Sequence, residues 1–211
     1  MSTIRRELIN AAINRAFTSI DYNIHKDIHK QHDFMIQTIL ADNSLTNDEK
    51  TEAIIILNKN YDRNKILYNE GTRRICENCN KECLATIYCE YCVRDYLKAK
   101  FSDWTSGNDE IDNLIQKCQL GTLMPAMIVE WIPYNKLQNI KYLTKGGFSE
   151  IYTAGWIDGS YFEWDAKKQQ LTRAFESEAQ AVVLKRLENV ESANQNWLEE
   201  VCNLSILFKY I

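Results

Sequence analysis

The chain has 211 residues and a mass of 24.7 kDa, enough for one mid-sized domain or two small ones. Hydrophobic residues make up 45% and charged residues 26%, which excludes wholesale disorder and a fibrous class. A net charge of −4 gives no attraction to nucleic acid or to an anionic membrane, so we expect neither partner. The apolar runs are too short to span a bilayer and no signal peptide precedes them, which predicts a cytoplasmic location.

Residues 1–71 carry the spacing of helices. Apolar residues recur at steps of three and four from Ile4 to Ile24, and again from Ala53 to Leu67. A polar break at 42–44 separates the two stretches, and Thr46 precedes Glu49 by three residues, as in a capping box. We expect an antiparallel helical hairpin that ends at Gly71.

Three histidines in this region lie at helical steps of four and three, namely His25, His29 and His32. One helix face bearing three imidazoles could hold a metal ion. No carboxylate or cysteine pattern completes such a site, so we favour a solvated polar face.

Residues 72–105 contain five of the seven cysteines. Clustered cysteines without a signal peptide predict a metal site in a reducing compartment rather than a disulfide scaffold. Two CxxC pairs are separated by nine residues, and two such pairs can close a tetrahedral thiolate cage around structural zinc. The expected ligands are Cys76, Cys79, Cys89 and Cys92. Cys83 could replace one of them, and the alternative is a set of buried cysteines without metal.

The next segment, 106–132, predicts a connecting helix capped by Asn108. From Pro133 onward, β-branched and alternating patterns replace the helical spacing. The stretches 140–143 and 150–154 flank a glycine pair, Asp158-Gly159 predicts a second hairpin, and 181–185 predicts a later strand. The expected class is therefore α+β, with a β-rich region at 133–211.

The order of motifs in this last region resembles that of a protein kinase N-lobe. The stretch 143–154 is similar to the glycine-rich loop, and Val182–Lys185 is similar to the strand that carries the phosphate-binding lysine. The run 197–201 resembles the αC helix, with Glu200 as the partner of Lys185 and Glu199 as the near alternative. Residues 131–201 look like the N-lobe of a fungal serine/threonine or tyrosine-kinase-like protein. The regions before it resemble the N-terminal extension of such proteins.

The resemblance implies a five-stranded antiparallel sheet with one packed helix and an ATP site. The implied ATP-binding residues are Thr144, Lys145, Gly146, Gly147, Phe148, Ser149, Ile151, Val183, Lys185 and Glu200. Thr144 and Ser149 replace the first and third glycines of the family's loop, which weakens the expected contact with phosphate. We therefore expect ATP binding to be weak or vestigial.

The family's catalytic motifs HRD and DFG do not occur in the sequence. The resemblance thus implies a truncated kinase-like protein whose family activity is ATP-dependent protein phosphorylation, and which is inactive as this chain. The alternative is a non-catalytic, zinc-stabilised module for protein interaction or regulation. Its expected partner is another kinase-like protein or a signalling protein.

Overall fold

The computed structural model of the protein describes residues 4–146, 149–174 and 178–187. Within these ranges the chain forms five α-helices and seven β-strands, and every strand pair is antiparallel, which confirms the α+β class. Two compact units are present, one running to Cys89 and the other beginning at Glu90. None of the described helices is both long and apolar enough to cross a membrane. The predicted residues Gly147, Phe148 and Glu200 lie outside the described ranges.

The first unit begins with three helices, so the expected helical hairpin is wrong. They are α1 (Arg6–Thr18), α2 (Ile28–Ala41) and α3 (Asn47–Tyr68). The second helix begins after Asp27, whose carboxylate accepts hydrogen bonds from the backbone N–H groups of His29 and Lys30. The helices share one apolar core, formed by Ile9, Ala12, Ala16, Ile39, Leu45, Ala53 and Leu57. Three alanines in this set let the helix backbones approach closely.

The start of α3 confirms the predicted capping box. The Thr46 hydroxyl accepts a hydrogen bond from the Glu49 N–H, and the Glu49 carboxylate accepts one from the Thr46 N–H. The same carboxylate takes two hydrogen bonds of 2.7 Å from the Arg5 guanidinium. This pairing holds the pKa of Glu49 well below its usual range. One carboxylate therefore fixes both the start of α3 and the chain before α1.

The end of α3 differs from the expectation at Gly71. The helix ends at Tyr68, and Asn69 adopts the left-handed conformation with φ 53° as its C-cap. Gly71 has φ +110°, and a Cβ added there would approach both His29 and Lys65 to 3.0 Å. Gly71 thus permits a close passage of the chain over these two side chains. A short hairpin follows, formed by β1 (Arg74–Ile75) and β2 (Glu82–Cys83).

The second unit begins with two helices, α4 (Glu90–Ala99) and α5 (Asp109–Leu120). The side chain of Asn108 accepts hydrogen bonds from the N–H groups of Glu110 and Ile111, which confirms Asn108 as the predicted cap. Five strands follow in two groups. The three-stranded sheet has the order β3 (Leu137–Lys145), β4 (Ser149–Trp156) and β7 (Gln180–Leu187). The separate hairpin consists of β5 (Tyr161–Asp165) and β6 (Gln170–Arg173).

Of the expected five-stranded sheet, the described residues form three strands. Within the described ranges, β5 and β6 pair with each other alone, and they pack against α4 and the 125–127 turn instead. Arg173 holds the hairpin in place by an ion pair of 2.9 Å with Glu130 and by lying over the Tyr161 ring. Burial raises the pKa of Tyr161 to about 12. The hairpin is thus an insertion in the connection between β4 and β7.

We predict that Thr46→Ala lowers the free energy of unfolding by about 1 kcal/mol, because the Glu49 N–H loses its cap. The matched control is Thr51→Ala in the same helix. The Thr51 hydroxyl bonds to the Asn47 carbonyl, and alanine has the higher helix propensity, so this change should not destabilise. Urea unfolding followed by circular dichroism measures both variants. Equal midpoints for the two variants would contradict the capping argument.

Candidate functional site

The first cysteine pair lies in a tight turn between β1 and β2. The Cys76 N–H donates to the Lys81 carbonyl at 3.0 Å, and the Asn80 N–H donates to the Cys76 carbonyl at 2.9 Å. Asn80 has φ 56°, a left-handed conformation that asparagine tolerates better than most residues. Local backbone hydrogen bonds therefore fold the Cys76–Lys81 segment into a knuckle that carries Cys76 and Cys79.

The second pair lies at the start of a helix. Cys89 directly precedes α4, and Cys92 lies in its first turn. The partial positive charge at a helix N-terminus favours the thiolate form of nearby cysteines. Cys76, Cys89 and Cys92 are buried, whereas Cys79 is half-buried.

The four predicted ligand sulfurs lie within 4.8 Å of one another. The Sγ atoms of Cys79 and Cys89 are 3.7 Å apart. A tetrahedral zinc ion with Zn–S bonds of about 2.3 Å places its sulfurs about 3.8 Å from one another, so this separation fits. The cluster of Cys76, Cys79, Cys89 and Cys92 can therefore bind a metal ion. Cys83 is buried, and its sulfur lies within 4.8 Å of that of Cys89, so it flanks this cluster.

The loop at 84–88, which leads into Cys89, is anchored to α3 by Asp62. This carboxylate is fully buried and accepts hydrogen bonds from the backbone N–H groups of Thr86 at 2.8 Å and Ile87 at 3.0 Å. The Thr86 hydroxyl donates a further hydrogen bond to it. One side chain of the helix thus satisfies three donors of the loop, which fixes the loop's position.

Cationic side chains bind the carbonyl groups of the same loop. Lys65 forms an ion pair of 2.9 Å with Asp62 and donates a hydrogen bond of 2.6 Å to the Leu84 carbonyl. Arg74 donates to the carbonyls of Ala85, at 2.8 Å, and Tyr88. Sequence analysis missed this network. The signal was present, since Lys65 continues the apolar series Leu57, Tyr61 by a step of four, where an apolar residue was expected.

His29 and His32 pack against Tyr61 of α3, so the predicted solvated face is wrong for His32, whereas His25 contacts Phe34 of α2. His32 is 8% exposed, stacks on the Tyr61 ring at 4.0 Å, and its Nε2 donates to the Asn58 Oδ1. Burial lowers the pKa of His32, which favours the neutral ring. His29 bonds to the Tyr61 hydroxyl through Nδ1. In the described part of the chain, the groups that could hold a metal all contain cysteine.

Four of the predicted nucleotide-binding residues share one face of the three-stranded sheet. Thr144 on β3 lies opposite Ile151 on β4, and Ile151 lies opposite Lys185 on β7. Val183 lies opposite Thr153 in the adjacent row on the same face. Gly146 follows β3 directly. The structure thus brings Thr144, Ile151, Val183 and Lys185 together.

The other predicted residues lie elsewhere. Lys145 lies opposite Glu150, and by strand alternation both are on the reverse face from Ile151. Ser149 begins β4. The Lys185 side chain is exposed and forms no ion pair with any residue that the structure describes. Among the described strands β7 forms an edge of the sheet.

No family model, curated protein or solved structure matches this chain. The resemblance to protein kinases therefore stays a prediction. Function has to be argued from the cysteine cluster and from the sheet face that carries Lys185.

We predict that Asp62→Asn destabilises the first unit by about 3–5 kcal/mol, because it leaves the Lys65 ammonium buried without a countercharge. The amide would also point its N–H groups toward donors of the loop. The matched control is Asp48→Asn in the first turn of α3, where the side chain is exposed. Chemical unfolding of both variants, followed by helical circular dichroism, measures the difference. A loss below about 1 kcal/mol for Asp62→Asn would contradict the anchoring role.

Proposed function

We propose that this chain is a zinc-stabilised, kinase-like protein with a weak nucleotide site and no phosphotransfer activity of its own. The observation that carries the proposal is the row formed by Thr144, Ile151 and Lys185 across three strands, next to Gly146, which directly follows β3. The arrangement is the one that the resemblance implies for a phosphate-binding lysine beneath a glycine-containing loop.

Each residue of this face has a chemical role in the proposal. The Lys185 ammonium supplies a point charge to nucleotide phosphates. Ile151, in the lysine's own row, and Val183, in the adjacent row, supply apolar surface for the base. The backbone at Gly146 permits close approach of a phosphate group, whereas the β-branched Thr144 restricts the start of the loop. Affinity should therefore be low.

Catalysis is not part of the proposal, because its required groups do not occur in the sequence. Phosphoryl transfer needs a catalytic aspartate and a second aspartate that binds Mg²⁺, supplied in kinases by HRD and DFG. Neither motif is found among the 211 residues. Binding without transfer is what the remaining residues can perform.

The metal in the cysteine cluster is proposed to be zinc with a structural role. Four thiolates saturate a tetrahedral ion and leave no position for water or substrate. Three of the four sulfurs belong to buried residues, which limits exchange with solvent. Zinc binding here would stabilise the knuckle and the loop, and would take no direct part in nucleotide chemistry.

Partner binding is the second candidate function. Phe17, Tyr22 and Ile24 follow one another along the end of α1 and the turn after it, and they are 56%, 55% and 66% exposed. Large exposed apolar side chains support an interaction surface. The proposed partner is another kinase-like protein or a signalling protein. If the chain showed no affinity for nucleotide, partner binding would be the remaining candidate function.

We predict about one zinc ion per chain after purification under reducing, chelator-free conditions. Cys89→Ser should lose the metal and disorder the knuckle, while the loop at 84–88, which Asp62 holds, and the three-stranded sheet keep their structure. Cys83→Ser is the matched control, since it removes a buried thiol next to the four ligands and should retain the metal. Elemental analysis measures the stoichiometry. Wild-type protein without metal, or equal metal loss in both variants, would contradict the assignment of the four ligands.

We predict that the chain binds ATP weakly and transfers no phosphate to protein substrates above background. Lys185→Ala should reduce ATP binding at least fivefold, because it removes the cation nearest the phosphates. Isothermal titration with ATP measures binding, and radiolabelled ATP measures transfer. Transfer activity that disappears in Lys185→Ala would show that the chain is an enzyme and would overturn the proposal.

A further inference from the structure

We propose that Lys141 is a second phosphate-binding residue, acting with Lys185 on the polyphosphate chain of a nucleoside triphosphate. This inference rests on the proposed nucleotide site and deepens it. The loop lacks two of the family's glycines, so side-chain cations would supply part of the contact that backbone N–H groups make elsewhere.

The strand register puts the two lysines on one face. Lys141 lies opposite Thr153, which lies opposite Val183, and this row is adjacent to that of Thr144, Ile151 and Lys185. Residues directly opposite each other in neighbouring strands point to the same side of the sheet. Lys141 therefore shares the face of Ile151 and Lys185.

A β-bulge makes this arrangement possible. Lys141 and Thr144 are three positions apart, so regular alternation would put them on opposite faces. The register shifts between Tyr142 and Thr144, which inserts one extra residue into β3 and reverses the alternation. The bulge thus turns Lys141 to the side that carries Lys185. Sequence periodicity alone assigns it to the other side.

Charge is distributed unevenly between the two faces. The Lys141 and Lys185 face carries threonine, isoleucine and valine between the lysines, and no carboxylate occurs in these two rows. On the reverse face, Glu150 lies between Lys145 and Arg186, and Arg186 forms an ion pair of 3.4 Å with it. Neither Lys141 nor Lys185 is ion-paired with any of the described residues. The face that carries Lys141 and Lys185 therefore has a net positive charge in these two rows, whereas the charges on the reverse face largely cancel.

The distance between Lys141 and Lys185 fits an extended anion. Two interstrand spacings and one two-residue step along the strands separate the lysines, which places their Cα atoms about 12 Å apart. Four-carbon side chains can bring both ammonium groups toward the sheet centre over Ile151 and Thr153. An extended polyphosphate can reach both cations at once, whereas a single phosphate reaches one. The Thr144 hydroxyl, in the row of Lys185, adds a neutral donor.

The test uses the full chain and isothermal titration with ATP, inorganic tripolyphosphate and adenosine in separate experiments. Lys141→Ala should weaken binding of ATP and tripolyphosphate about fivefold, the effect of losing one charge contact in water. Arg186→Ala is the matched control, because it removes a cation next to Lys185 in sequence but on the reverse face, where it pairs with Glu150, and it should change affinity less than twofold. Both positions are exposed, so both variants should keep the wild-type melting temperature.

The outcomes separate this inference from the proposed function. If Lys185→Ala weakens ATP binding while Lys141→Ala matches Arg186→Ala, the role of Lys141 is disproved and the nucleotide site stands. If tripolyphosphate binds in a Lys141-dependent way but ATP binds no better than tripolyphosphate, the polyphosphate site stands without nucleotide selectivity. If the wild-type chain binds neither anion, both the inference and the nucleotide site are overturned.

Discussion

The buried pair of Asp62 and Lys65 is the constraint on which the cysteine region depends. Both side chains lie one turn apart on α3, and both are almost inaccessible to solvent. Such a pair is tolerated only when the remaining donors and acceptors are satisfied. Here the loop at 84–88 satisfies them, since its N–H groups bind Asp62 and its Leu84 carbonyl binds Lys65. The buried ion pair therefore depends on hydrogen bonds from the loop, and the position of the loop depends on the ion pair.

The free energies of loop ordering and of zinc binding explain why the loop benefits from both an anchor on α3 and a metal site. Ordering the backbone of five loop residues costs about 5–10 kcal/mol. Structural zinc sites bind with about 10–16 kcal/mol of apparent free energy. Because Asp62 and Lys65 on α3 already order the loop, less of the free energy of metal binding is offset by the cost of ordering it. More of that free energy therefore stabilises the fold. The buried ion pair adds little net stability by itself. It restricts the loop to one position, and that position determines where Cys89 lies.

Local signals predicted part of this structure well. The caps at Thr46 and Asn108 and the two CxxC pairs depend on residues within four positions of each other, so spacing alone identified them. Asp62 bonds to a loop 24 residues away, and no local pattern encodes that contact. Alternation likewise identified strands but not their partners: Asp158-Gly159 was predicted to turn a hairpin, but β4 before it pairs with β3 and β7, and β5 after it pairs with β6. The bulge in β3 shows the same limit, because one inserted residue reverses which side chains share a face.

Hydrogen exchange at the backbone N–H groups of Thr86 and Ile87, measured by NMR after metal removal with a chelator, tests the anchor most directly. These groups donate to the buried Asp62 carboxylate, so the account predicts that they remain protected without metal. Their protection should be lost in Asp62→Asn, while the core of α3 exchanges slowly in both proteins. In the metal-free wild type, the N–H groups of Thr86 and Ile87 could instead exchange as fast as those of an exposed loop. That result would contradict the anchoring role of Asp62, because the metal alone would then hold the loop.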